Sequence, residues 1–194
     1  MIELKKIILN NKYINCFIFA FICWLIPFLI RISLVEITYS NDIEEPGLQT
    51  MVGNIIEALN QNDRKEAFVL IFTNNIKGCI INIVGGALLG LGTGLNLVVN
   101  GFCTADIFMH SYKMGVSIKS IIKLTLPHSF ELIGFWMSGA LGFYIAYNIF
   151  QLIRGKEKMC DYFYITVTIS LVMILLIILF AAYIEAYIST NFIN

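Results

Sequence analysis

The length of the apolar segments constrains this chain more than any other feature. Residues 162–184, for example, carry no charged side chain. About 20 apolar residues in a helix are enough to cross the hydrocarbon core of a bilayer, and a core made in water could not hide so many of them. We therefore predict five membrane-spanning helices, at about residues 14–35, 67–91, 95–112, 124–150 and 162–188.

Composition agrees with an all-α, polytopic membrane protein. The 194 residues are 58% hydrophobic and 13% charged, and the mean hydropathy is +0.80, whereas about a quarter of the residues in a soluble domain are charged. Five helices and short connections use up the chain, so we predict one integral membrane domain over residues 1–194. The 13 basic and 13 acidic residues balance, which argues against a nucleic-acid partner.

The distribution of charge predicts the orientation in the membrane. Lys5, Lys6 and Lys12 precede the first span, which places the amino terminus in the cytoplasm. Residues 36–66 carry seven acids against two basic residues and are therefore predicted to lie outside. Within this loop a helical stripe predicts an extracytoplasmic amphipathic helix. Its apolar residues are Leu48, Met51, Val52, Ile55, Ile56 and Leu59.

One connector conflicts with this orientation. Five spans place Lys113, Lys119 and Lys123 outside, whereas the positive-inside rule favours the cytoplasm. A re-entrant segment from Asn96 to Met109 would remove the conflict by reversing the later spans. We prefer five full spans, with an uncharged turn at 92–94 joining the second and third helices into a hairpin.

Small residues recur at the spacing that lets two helices approach closely. Gly78, Gly86, Gly90 and Gly94 lie on one i+4 ladder, with Asn82 on the remaining rung. Gly134, Ser138 and Gly142 repeat the pattern in the fourth span. We interpret both as packing positions within the chain, with an interface between copies of the chain as the alternative.

Polar side chains within apolar segments are the functional candidates, because each needs a partner or a wet cavity in lipid. They are Asn74, Asn75, Lys77, Asn100, Asp106, His128, Glu131 and Glu185, and Asn82 and Asn96 have similar surroundings. Lys77 is expected to pair with Glu131 or with Asp106. His128 follows Pro127 and is interpreted as a helix cap rather than a catalyst.

The sequence contains no motif of a known catalytic, nucleotide or metal site. Glycines at 90, 92 and 94 lack the lysine of a phosphate-binding loop, and His110 is too far from His128 to suggest zinc. The five cysteines show no metal spacing and are expected to be reduced thiols. We therefore expect no enzyme activity, no cofactor and no metal, and any nucleotide-driven step would need a second polypeptide.

Several polar motifs, in order along the chain, resemble the stage II sporulation protein M family. The matching segments are Asn74-Asn75, the glycine run 85–94, Asn100-Gly101, residues 127–132 (PHSFEL, similar to the family's P-H-G-x-x-E-L) and residues 181–186 (AAYIEA, similar to A-A-x-x-E). Together they cover about residues 14–190. Ser129 replaces the usual glycine of the first motif, which puts very close backbone contact at that position in doubt.

This resemblance implies a multi-pass protein of the bacterial plasma membrane with no catalysis of its own. Some family members are membrane scaffolds for a cell-wall hydrolase complex during engulfment in sporulation. Others accompany a separate ATPase in bacteriocin export and immunity, and the two motifs at 127–132 and 181–186 place this chain closer to that second branch. The partners expected from the resemblance are therefore the lipid bilayer and one of these two protein systems.

Overall fold

The fold is a bundle of five long α-helices. A computed structural model describes residues 11–34, 63–113, 128–156 and 161–188, with isolated positions in 54–61 and 115–118. The helices are α1 (Asn11–Ser33), α2 (Arg64–Ala87), α3 (Leu91–Lys113), α4 (His128–Ile153) and α5 (Asp161–Tyr187). The predicted all-α class, with five long helices, is confirmed.

Local sequence signals explain where α2 begins and where α4 ends. The Asp63 carboxylate accepts a hydrogen bond from the Glu66 backbone N–H at 3.0 Å, which caps the first turn of α2. After α4, Gly155 has a φ of 64°. The Gly155 and Lys156 backbone N–H groups donate to the carbonyls of Leu152 and Gln151. This is a Schellman ending, for which glycine is the favoured residue.

The turn between α2 and α3 lies at 88–90, so the predicted turn at 92–94 is wrong. Leu89 and Gly90 have φ values of 54° and 83°, and this pair of left-handed residues reverses the chain. Gly92 and Gly94 belong to the first turns of α3 instead. The three glycines look equivalent in the sequence, but only Gly90 has the backbone conformation that turns the chain.

Consecutive helices run in opposite directions. In α2 and α3, Asn82 contacts Thr93 and the earlier Gly78 contacts the later Asn96, so this pair is antiparallel. In α1 and α3, contacts advance together along both helices, from Trp24–Asn100 to Arg31–Asp106. Alternation of direction is the arrangement expected of five successive crossings.

Helix α3 is a single unbroken helix, without the break at which a re-entrant segment from Asn96 to Met109 would turn back. Its 23 residues reach about 35 Å at 1.5 Å per residue, enough to cross a hydrocarbon core. Unlike the other four helices, α3 is not apolar enough to qualify as a membrane span by composition. The reason is its polar side chains, Thr93, Asn96, Asn100, Thr104, Asp106 and His110.

The start of α1, the turn 88–90 and the end of α4 share one end of the bundle, as five alternating helices require. The opposite end carries the start of α2 and the end of α3, so exposed Lys113 lies at the end predicted to face outside. The conflict with the positive-inside rule therefore persists in the fold.

Most of the predicted amphipathic helix lies outside the described residues. Asn54, Ile55, Glu57 and Ala58 are described and helical. Ala58 is buried against a cluster formed by α2 and α5, and Ile55 packs beside it. This part of the segment therefore contacts the helical bundle.

Candidate functional site at the helix interfaces

Polar side chains meet at the centre of the bundle, where α2, α3 and α4 pack together. Asn82, on α2, is fully buried. Its Nδ2 donates hydrogen bonds to the Phe135 carbonyl oxygen at 3.2 Å and to Ser138 Oγ at 2.9 Å. Its Oδ1 accepts a hydrogen bond from Asn96 Nδ2 at 2.8 Å. Because both amide hydrogens and the amide oxygen are bonded, Asn82 fixes the register of three helices without leaving a polar atom in hydrocarbon.

Further hydrogen bonds extend this network. Thr93 is fully buried, and its Oγ1 donates to the Asn82 carbonyl oxygen at 2.7 Å. Asn96 Nδ2 also donates to the Gly78 carbonyl oxygen at 3.1 Å. We call Asn82, Thr93, Asn96 and Ser138 the polar centre. Asn82 and Asn96 had been singled out as polar side chains within apolar segments, although they were not among the eight functional candidates. Ser138 was a predicted packing position, Asn82 was also a rung of the glycine ladder, and a polar contact of Thr93 was not predicted.

Glycine allows the backbones beside the polar centre to touch. A Cβ added to Gly86 would lie 2.8 Å from Gly142 Cα, and one added to Gly142 would lie 2.6 Å from Thr93 Oγ1. A Cβ at Gly92 would lie 2.8 Å from Gly85 Cα. Real Cβ contacts are longer than these, so no side chain fits at these positions in the present packing. The α2–α3 and α2–α4 interfaces both depend on bare backbone.

The remaining glycines divide into close contacts and open positions. Gly78 faces the Phe135 ring, and Gly134 faces the Ile178 side chain, where added Cβ atoms would be 3.1 and 2.6 Å from carbon. Gly101 lies against the Trp24 carbonyl. A Cβ at Gly94 would meet nothing within 4 Å, so Gly94 does not pack against another described helix of this chain.

Gly90 also differs from the prediction, because it is a turn residue and not a rung within a helix. Its position close to Phe143, 3.1 Å from an added Cβ, still leaves little space for a side chain. The i+4 ladder of α2 therefore ends before the turn.

A second polar contact region joins α1 to α3. Trp24 Nε1 donates to Asn100 Oδ1 at 3.0 Å. Nearer the end of the bundle, Arg31 Nε donates to Asp106 Oδ1 at 2.6 Å in an ion pair whose side chains are 29% and 47% exposed. Two of the predicted candidates, Asn100 and Asp106, thus hold α1 against α3.

The structure does not form either predicted ion pair of Lys77. Lys77 is exposed, and no contact within the described residues joins it to Glu131 or Asp106. Asp106 pairs with Arg31 instead. Lys77 lies on an exposed face of α2, and residue spacing along the helices did not predict this exposure.

Two candidates lie close to the contact between α2 and α4, and a third lies near the end of α5. Asn75 and Glu131 are each about one turn before Cys79 and Gly134, whose Sγ and carbonyl oxygen are 3.9 Å apart. Asn75 and Glu131 are half-buried, as is Glu185 near the end of α5. Asn75 Nδ2 is buried with no hydrogen-bond partner among the described residues.

Two candidates contribute less to this picture. Asn74 is exposed. His128 is the first residue of α4, but its side chain lies outside the described part of the chain.

Comparisons with known proteins match this helical architecture to one family. The sequence model for stage II sporulation protein M matches residues 7–190. An uncharacterised protein of Methanocaldococcus jannaschii is 35% identical over 130 residues, which cover 63% of this chain and 70% of that protein. No solved structure matches.

The family match includes all five helices and the whole polar centre. The expectation drawn from the motifs at 127–132 and 181–186 is confirmed at the level of the family. This chain belongs to the stage II sporulation protein M family.

Proposed function

We propose that this protein is a non-enzymatic, permease-like membrane subunit. It would act with a separate ATPase to export a hydrophobic peptide such as a bacteriocin, or to protect the cell from it. The observation that carries the proposal is the polar centre, where Asn82 joins three helices through buried hydrogen bonds. On this proposal α2, α3 and α4 form one rigid body, which the separate ATPase can move as a whole.

The absence of a phosphate-binding lysine in the sequence supports the division of labour. The glycine run at 85–94 packs helices together and forms a turn, so its role in the fold is structural. A powered step would then come from a partner with its own nucleotide site. The plasma membrane, with the amino terminus in the cytoplasm, is the location that goes with this proposal.

Deletion of the gene tests the proposal in the native host. We expect the deletion strain to lose secretion of a hydrophobic peptide, or resistance to that peptide, and the wild-type gene to restore both. The Asn82→Leu variant should restore neither, whereas Lys77→Gln, on the exposed face of the same helix, should restore both. Full secretion and full self-resistance in the deletion strain would contradict the proposal.

The resemblance to this family also motivates a second candidate, a membrane scaffold that recruits a cell-wall hydrolase complex during engulfment. A scaffold of this kind should collect at the septal membrane of sporulating cells. Fluorescent labelling of the full chain distinguishes the candidates, because uniform labelling of the plasma membrane throughout sporulation would contradict the scaffold.

A further inference from the structure

A groove opens at the end of the bundle that carries the start of α1. It lies between α1, the last turns of α4 and the turn 88–90, and its volume is about 530 Å³. Pockets that bind small molecules typically have volumes of about 300–1,000 Å³. The groove is therefore large enough for part of a lipid or another small ligand.

The floor of the groove is aromatic and aliphatic. Phe19 and Phe143 pack edge to face, with ring centroids 4.8 Å apart, and Leu89 and Phe150 add apolar surface. Close packing of Phe143 against Gly90 fixes one side of this floor. These side chains form no hydrogen bonds, so the floor suits a hydrocarbon chain better than a peptide backbone, whose N–H and C=O groups would lack partners.

The rim of the groove is cationic. Lys12 Nζ lies 5.1 Å from the centroid of the Tyr147 ring, and exposed Asn15 lies on the same side. At the adjacent end of α4, the Arg154 guanidinium lies 5.2 Å from the centroid of the Phe150 ring. Among the described residues that line the groove, none is acidic. An anion at the rim would therefore meet the Lys12 ammonium and the Asn15 amide, and the Arg154 guanidinium lies outside the lining, over the Phe150 ring.

We propose that this groove binds one acidic phospholipid. The acyl chains lie on Phe19, Phe143 and Phe150, and Lys12 and Asn15 hold the phosphate. The groove opens at the end of the bundle predicted to face the cytoplasm, where anionic headgroups attract basic residues near the surface. Charge and apolar surface are thus arranged as in a phospholipid, with the phosphate at the level of the interface and the chains in hydrocarbon. This site is independent of the proposed export function.

Native mass spectrometry of the purified full chain in detergent tests the site. Dioleoyl phosphatidylglycerol and dioleoyl phosphatidylcholine have the same acyl chains, so a preference between them reports on headgroup charge. We expect the protein to prefer phosphatidylglycerol. Lys12→Gln should weaken phosphatidylglycerol binding by about five-fold, from about 1 kcal/mol for each cation near a lipid surface. Lys113→Gln, at the other end of the bundle, is the matched control and should not change binding.

A second variant and competition experiments show which ligand the groove binds. Tyr147→Leu removes the ring beneath Lys12 and should also reduce the preference, which covers the case in which Lys12→Gln does not fold. Equal binding of the two lipids, or an unchanged preference in both variants, would overturn the proposal. Displacement by glycerol 3-phosphate at the lipid's own concentration would point to a site for free phosphate compounds, and displacement by a hydrophobic peptide alone to a peptide site.

Discussion

Asn82 connects three helices through its side chain, and its backbone carbonyl accepts a fourth contact from Thr93. Hydrogen bonds between membrane helices contribute about 0.6–2 kcal/mol each, so the polar centre stabilises the bundle by several such increments. Phe, Leu and Ile side chains elsewhere in the core pack without this directionality. The register of α2 against α3 and α4 therefore depends on few residues.

Replacing Asn82 by Ala tests this dependence. The change removes two donated bonds and one accepted bond, and it leaves a cavity in the bundle. We expect the free energy of unfolding to fall by about 1–3 kcal/mol, measured by denaturant titration in mixed micelles. Lys77→Ala, on the exposed face of α2, is the control and should have little effect. Equal stability of the two variants would contradict the central role of Asn82.

Gly86 and Gly94 are both helical glycines, but only Gly86 touches a neighbouring backbone. A methyl group at Gly86 must push α4 away, so Gly86→Ala should destabilise the protein by about 1–3 kcal/mol. Gly94→Ala meets open space and should fold as the wild type does. Thermal unfolding in detergent compares the two, and a larger loss for Gly94→Ala would refute the assigned packing.

Two glycines with positive φ values lie where helices end. Gly90 and Gly155 both have positive φ, but Gly90 also packs against Phe143 whereas Gly155 lies in open space. Gly155→Ala should therefore cost about 1–2 kcal/mol through backbone strain alone, and Gly90→Ala should cost more. Unfolding in detergent measures both variants. A smaller cost for Gly90→Ala would show that its contact with Phe143 is unimportant.

An ion pair between Arg31 and Asp106 joins α1 to α3. Both side chains are partly exposed, and a pair whose exposed side faces water should contribute only about 0.2–1 kcal/mol. A double-mutant cycle with Arg31→Gln and Asp106→Asn measures the coupling. A coupling energy above this range would mean that the pair is screened from water more fully than its exposure indicates.

The apolar segments were sufficient to predict five helices, although α3, with its polar side chains, is not apolar enough to qualify as a membrane span by composition. Hydropathy could not predict the turn at 88–90, since Gly90, Gly92 and Gly94 are equally able to adopt a positive φ and tertiary packing chooses between them. The partner of Asp106 was missed for a similar reason. Spacing along one helix says which residues share a face, but the pairing of Arg31 with Asp106 depends on how two helices are aligned.

The whole molecule combines apolar surfaces facing outward with polar contacts facing inward. Helix α3 illustrates the arrangement, because it is less apolar than the other helices yet Asn96, Asn100 and Asp106 all bond to neighbouring helices. A polar helix can then cross a membrane at acceptable cost, since its polar groups are bonded to protein. The family match from 7 to 190 extends over this entire arrangement.

From the alternating helix directions we infer that α3 crosses the membrane as the third of five helices. Cysteines placed at Leu88 and Lys113, on either side of α3, test it most directly in a chain whose five native cysteines are replaced by alanine. A membrane-impermeant thiol reagent applied to intact cells should label Lys113→Cys but not Leu88→Cys, and both should be labelled after permeabilisation. Labelling of both positions, or of neither, in intact cells would place the two ends of α3 on the same side of the membrane. Helix α3 would then not cross it.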